Sequence, residues 1–559
     1  MKNRFFSRFW TLMLAFILTV SFANCAAAPN EEGGMDGYND FYSKNESVAG
    51  LPSVGTQNSG SSDKAQSMGD PTDDGLDVNY GGVMTEAGAE MDAEMEAPME
   101  EMVPEGKPSE DIVYIPSFVE NPFINTSENN VSTFSADVDT ASYSYFRKLI
   151  NSGYGLTELK NSGTAFRTEE FINYFKYNVS TPAENELFGV HTEIIDCPWN
   201  TETMLFRITL QAEKAENNIG NNLVFLIDVS GSMSSRDKLP LLKEAFAYLV
   251  DNLDENDTVS VVTYSGREAV VLQGCQGSKG ETIMNVINNL NASGSTNGEA
   301  GLTMAYRIAE EYFIEGGNNR IIMASDGDLN VGISSASELT KYIEEKRDQG
   351  IYLSVLGFGT GNYRDNNMEA LADNGNGVYY YIDGLSEAEK VFGTDLLGTL
   401  YTVAEDVKLQ IEFNSAVVES YRLVGYENRM LQREDFEDDT KDAGEVGSSH
   451  QVTVCYEVKL GQQVPGANTL MTLRVRYKNP GEPISLLNEY PLGYDIISGE
   501  ADEDMRFISA VIETCMILHN SEHIGNITVE SVIEELESLD LSDYPERAEF
   551  LTLLKTLAK

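Results

Sequence analysis

Cysteine is scarce in this chain of 559 residues, with five in all, at positions 25, 197, 275, 455 and 515. So widely separated, they offer neither a disulfide framework nor a CxxC metal pattern, and the last four read as small core residues. Histidine is scarcer still: His191, His450, His519 and His523 are all there is, and no Ser-His-Asp or Cys-His arrangement can be built on them. His519 and His523 stand four apart, as ligands on a helix do, but "HNSEHIGN" reads as a fraying helix end, and the pair is expected to be solvated. Basic side chains are also few. Against 90 Asp and Glu there are 38 Lys and Arg, a formal charge of -52, which repels nucleic acid and anionic headgroups and argues against phosphate-backbone binding. "GCQGSKGET" fails the spacing of a phosphate loop and is expected to be a surface loop. The apolar run over 9–23 is shorter than the ~20 residues a membrane-spanning helix needs.

That run does have another use. Lys2, Arg4 and Arg8 precede it and Asn24 and Cys25 close it, the pattern of an export signal over 1–25. "SFANCAAA" resembles a bacterial lipobox, which predicts lipidation of Cys25. Phe22 and Asn24 depart from that pattern, and the competing reading is ordinary cleavage near Ala26, Ala27 and Ala28. Residues 26–111 are rich in Gly, Ser, Met and acid, self-repel, and are expected to form an extended tether.

Four further segments follow. Residues 112–216 mix helical and strand-like runs and are expected to form an α+β extension. Over 217–400 apolar strands such as "LVFLID" alternate with amphipathic helices such as "KLPLLKEAFAYLVDNL", where Leu241, Leu242, Ala245, Phe246, Leu249 and Val250 keep a 3.6 period. This predicts an α/β fold with a doubly wound, mostly parallel, Rossmann-like sheet whose ligands bind at the carboxyl ends of the strands. Residues 401–500 carry short alternating strands and read as a sandwich-like β-rich unit, and 501–559 read as helical. The strands flanking 217–400, "MLFRITLQAE" and "VKLQIEFN", are expected to join in one β-unit into which the α/β segment is inserted.

"FLIDVSGSM" (225–233) ends an apolar strand in Asp228, Ser230 and Ser232. Alone it allows an ordinary turn, a phosphate or nucleophile loop, or a metal site. Residues two apart in extended chain point the same way, so one carboxylate and two hydroxyls can converge as hard oxygen donors for Mg2+ or Mn2+. Thr296, just before a helix, and Asp326, just after a strand, offer further oxygens. Asp-x-Ser-Gly-Ser, this Thr and Ser-Asp-Gly together resemble the metal-ion-dependent adhesion site of von Willebrand factor A domains. The flanking "FSADVDTASYS", "RTEEFINYF", "DCPWN", "YRLVGYENR" and "DTKDAGEVGSSHQVT" resemble bacterial A-domain surface lipoproteins, a family with no settled activity to carry over.

The resemblance implies that Ser230, Ser232 and Thr296 bind the cation directly, while Asp228 and Asp326 act through water and by hydrogen-bonding the serines. Such a metal recruits an acidic side chain, Asp or Glu, from a protein partner. The chain is thus expected to be a binding or adhesion module without turnover, tethered at the extracytoplasmic face of a bacterial envelope through a lipid on Cys25, or secreted; the alternative is a metal-dependent, phosphatase-like hydrolase. Asp137 and Asp139 of "ADVDTAS" resemble the paired aspartates of haloacid-dehalogenase-type phosphatases, but "STFSA" looks too polar for the required core strand, and a turn or a helix cap by Asp139 or Thr140 is expected instead. Asp328 is expected to shape the turn of "DGDLNVG".

Overall fold

A computed structural model describes residues 119–559 except 216–219, 328–335, 360–364, 396–397, 399 and 463–465. The expected signal with Cys25, the acidic tether and Asp328 lie outside the described residues. The described chain enters through β1 (Ile124–Asn125) and β2 (Val131–Ser135). β2 is buried at every position, so "STFSA" supplies a core strand after all. Its hydroxyls are tolerated because they find partners: Tyr456 donates to Ser132 (2.9 Å) and the Gln410 amide to Thr133 (3.1 Å). Three helices follow, α1 (Ala141–Asn151), α2 (Leu156–Lys160) and α3 (Thr168–Tyr174). Thr140 precedes α1 but makes no side-chain cap, and Asp139 instead accepts a hydrogen bond from the backbone N–H of Tyr379 (2.9 Å). The expected cap gives way to a contact across the fold. Two long strands, β3 (Phe188–Asp196) and β4 (Met204–Ala212), complete this part.

The α/β layer runs β5 (Asn221–Asp228), α4 (Leu239–Asp251), β6 (Thr258–Tyr264), β7 (Glu268–Gln276), α5 (Gly280–Asn288), α6 (Gly298–Glu311), β8 (Asn318–Ser325), α7 (Ala336–Arg347), β9 (Ile351–Gly357), α8 (Asp365–Asn374), β10 (Tyr379–Tyr381) and α9 (Leu385–Glu389). Its six strands lie in the order β10-β9-β8-β5-β6-β7, all parallel except the edge strand β7, which runs antiparallel to β6. β5 is buried on both faces, as a central parallel strand must be. Leu223, Phe225 and Ile227 pack on one face with Leu242 and Phe246 of α4; Val224 and Leu226 pack on the other with Leu302 and Ala305 of α6.

The remaining strands are β11 (Thr402–Phe413), β12 (Val418–Val424), β13 (Gly444–Gly447), β14 (Gln451–Leu460), β15 (Thr469–Lys478) and β16 (Leu486–Gly493). One sheet has the order β1-β12-β14-β4-β3, the other β13-β11-β15-β16 with β2 also on β11. A single apolar core joins them, Phe206, Ile208 and Leu210 of β4 packing with Leu409, Ile411 and Val475 of the facing sheet. β4 pairs along its length with β14, from Gln211↔Gln451 to Met204↔Val458. Strands from 112–216 and 401–500 therefore interleave in shared sheets, and the α/β layer enters the chain between them.

Three helices end the chain, α10 (Glu503–His519), α11 (Val529–Glu537) and α12 (Pro545–Leu557). They share a core with α1 and α3, in which Tyr143, Phe146 and Phe171 meet Phe507, Val511 and Phe550. His519 is half-buried here, with Nε2 2.6 Å from the Phe166 carbonyl oxygen, and desolvation pushes its pKa down to about 4. The expectation of a solvated pair fails for it because α3's approach covers the end of α10, while His523 is half-buried against Phe123. Cys197, Cys275, Cys455 and Cys515 are free and buried. Among the described residues no helix is long and apolar enough to cross a membrane.

Candidate metal centre

β5 and β8 run parallel side by side, with Ile227 opposite Ala324. Asp228 ends the first strand and Asp326 directly follows the second, so two fully buried carboxylates stand at the same edge of the sheet. After Asp228 the chain leaves the sheet, and the strand's unbroken apolar run ends there. The loop folds back on its own acid: the Ser230 N–H donates to Asp228 Oδ1 (2.7 Å). The Ser230 and Ser232 hydroxyl oxygens come to 2.9 Å from each other.

Thr296 stands half-buried on the segment before α6. Two backbone hydrogen bonds fasten that segment to the Asp228 loop, Ser293 N–H to the Val229 carbonyl (2.7 Å) and Gly231 N–H to the Gly294 carbonyl (3.0 Å). Gly294 has φ +85, a left-handed turn that a side chain disfavours. Asp228 at the end of its strand and the other four residues on loops thus lie at the carboxyl end of one sheet, as an open α/β fold places its ligand sites. Beneath them Tyr264, opposite Asp228 on β6, is buried; burial first and the Asp228 charge second hold its phenol well above the usual range.

Lys238 is the residue that the sequence did not single out. Its ammonium donates to Asp326 Oδ2 (2.7 Å) and to the Ser232 carbonyl (3.1 Å), and the side chain is 10% exposed. A methyl group on Gly359 would fall 2.2 Å from Lys238 Cε, so the glycine makes room for the lysine stem. A lysine at the foot of an amphipathic helix carries no mark of this role, which depends on a strand 88 residues further along the chain. Two buried carboxylates, two hydroxyls and a third on a fastened loop are a hard-oxygen donor set, and a cationic side chain already rests against one member. These residues fit a divalent cation of the Mg2+ class.

Comparison with known proteins agrees with this architecture. The family model for the von Willebrand factor type A domain matches residues 222–394, a von Willebrand factor model matches 114–207, and one for the C-terminal region of the uncharacterized protein YfbK matches 398–559. YfbK of Escherichia coli (strain K12), itself uncharacterized, is 38% identical over 78% of this chain and 80% of its own length. The chain belongs to the von Willebrand factor type A domain family, with YfbK. Part of the chain also resembles part of the human inter-alpha-trypsin inhibitor heavy chain H3, 29% identical over 28% of this chain and 18% of that one. Among solved structures, the von Willebrand factor type A protein from Catenulispora acidiphila is 17% identical, with a TM-score of 0.38 over 61% of this chain and 80% of that chain. The A domain's family consists in general of protein-interaction modules, and many members carry a metal at this site.

Proposed function

We propose that this chain is an exported, lipid-tethered binding protein of the bacterial envelope, whose A domain grips an acidic side chain of a protein partner through a divalent cation. Asp228, Ser230, Ser232, Thr296 and Asp326 hold the cation, Mg2+ or Mn2+. Bound there, it supplies an electrophilic coordination position for a carboxylate. The residues of the chain do the rest: the Ser230 and Ser232 hydroxyls serve as neutral ligands, Asp228 orients the loop through the Ser230 N–H, and the buried sheet edge excludes solvent from one side. The observation that carries this reading is the pair of hydroxyls 2.9 Å apart between two buried aspartates. Neutral direct ligands leave the metal attractive to one more anion, and the chain's high negative charge selects against casual ones. The reading includes no turnover, an A domain spanning 217–400 as an insert in the β-unit, and lipidation at Cys25 as the tether.

Isothermal calorimetry tests the site. Ser232→Ala is expected to weaken Mg2+ or Mn2+ binding at least tenfold with unchanged circular dichroism, and equal affinity in the two proteins would sink the reading. A cation-dependent pull-down from the organism's own envelope fraction, with Ser232→Ala as control, then tests the partner.

A further inference from the structure

A second group of ligand-type side chains lies outside the A domain, where β3 meets the start of α10. His191 and Glu193 are two apart on β3 and so leave the same face of the sheet. Asp502 is the N-cap of α10. One ligand atom from each of the three lies within 4.8 Å of the other two.

Each carboxylate has one oxygen fixed in position. Glu193 Oε1 accepts from the Asp502 N–H (3.3 Å); Asp502 Oδ1 accepts from the Met505 N–H (2.5 Å) and, more distantly, from Arg207 Nη1 (3.4 Å). The other Glu193 oxygen, Oε2, is buried on a residue 5% exposed and has no hydrogen-bond partner of good geometry, with only the Ser498 side chain close enough to favour its charged form. An unsatisfied buried acceptor is unfavourable by ~1–3 kcal/mol, so its retention here calls for an occupant. Arg207, cross-strand from Glu193 and fully buried, supplies one positive charge against two carboxylates.

We propose that His191, Glu193 and Asp502 form a second metal site, distinct from the A-domain site, for a borderline divalent cation of the Zn2+ class. One imidazole nitrogen and two carboxylate oxygens suit Zn2+ or Co2+, whereas Mg2+ and Ca2+ take oxygen ligands. The hydrogen bonds on the second oxygens hold the ligands in orientation. A metal here ties the edge strand β3 of the β-unit to the first turn of α10, two elements some 300 residues apart in sequence.

The test uses the full chain stripped of metal, titrated with Zn2+ by calorimetry and with Co2+ by visible absorption. Zn2+ binding is expected to survive Ser232→Ala and to weaken at least tenfold in His191→Ala and in Asp502→Asn, each with the circular dichroism of the parent; asparagine keeps the helix cap and removes the charge. Co2+ is expected to give ligand-field bands that the same two substitutions abolish. Unchanged Zn2+ affinity in His191→Ala, or loss of all Zn2+ binding in Ser232→Ala alone, overturns the proposal.

Discussion

Lys238 shows what a single side chain does to the A-domain loop. Its ammonium rests against the fully buried carboxylate of Asp326, where it would compete with the divalent cation proposed for the site. Lys238→Met keeps the stem over Gly359 and removes the charge. In chelator it is expected to destabilise the protein by about 3 kcal/mol, the effect of taking the cation from a buried carboxylate, and saturating Mg2+ is expected to restore about half of that loss by linkage. Calorimetry should show Mg2+ binding roughly tenfold tighter, by about 1.4 kcal/mol; weaker binding would contradict the competition. Glu513 makes a second prediction at this scale. Burial, and then the charge of Glu535 on α11, raise its pKa from 4.5 to about 7. Between those values the folded state keeps a proton that the unfolded state has released, so this group's contribution to stability declines as pH rises through the window. Glu513→Gln removes the decline, and urea unfolding is expected to find the variant more stable than the parent at pH 8, by up to about 3 kcal/mol, with the difference gone near pH 4.

Among the elements, α6 carries Thr296 at its approach and packs closely against β6. A Cβ on Gly301 would lie 2.7 Å from Tyr264 Cβ, which lets the helix sit directly over the tyrosine behind Asp228. Gly301→Ala is expected to destabilise by about 1–3 kcal/mol from overpacking, although alanine is the better helix former by ~1 kcal/mol; stability gained in denaturant unfolding would refute the close approach. The helix itself was legible in "GEAGLTMAYRIAEE" from its spacing, and β5 from its unbroken apolar run. The need for glycine was not, because the atom it avoids belongs to another strand. β2 failed to stand out for a related reason: its Ser and Thr hydroxyls are satisfied by Tyr456 and Gln410, more than 270 residues away, so polarity that argues against a core strand locally is harmless in the fold.

Across the molecule, largely buried ion pairs join the A domain to the elements that flank it. Arg147 of α1 meets Asp383 and Glu387 (both 2.6 Å) beside β10 and α9, and Glu549 of α12 (3.0 Å). Arg429 lies between Asp137, Asp139, Glu369 and Asp373. Arg147→Met is expected to lower stability by about 3–5 kcal/mol, because two buried carboxylates lose their guanidinium; thermal unfolding that matches the parent would show the network to be dispensable. The sequence by itself determined the alternating α/β layer and the two-faced burial of β5, since hydrophobic period is a local property that survives without neighbours; the set Asp228, Ser230, Ser232, Thr296 and Asp326 was legible only through its resemblance to the A-domain adhesion site. Only the tertiary structure decided that strands from either side of the A domain share sheets, that Lys238 rests on Asp326, and that His191 and Glu193 meet Asp502. Those are contacts between residues tens to hundreds apart, and strand partnership is written in backbone hydrogen bonds that every residue except proline can donate.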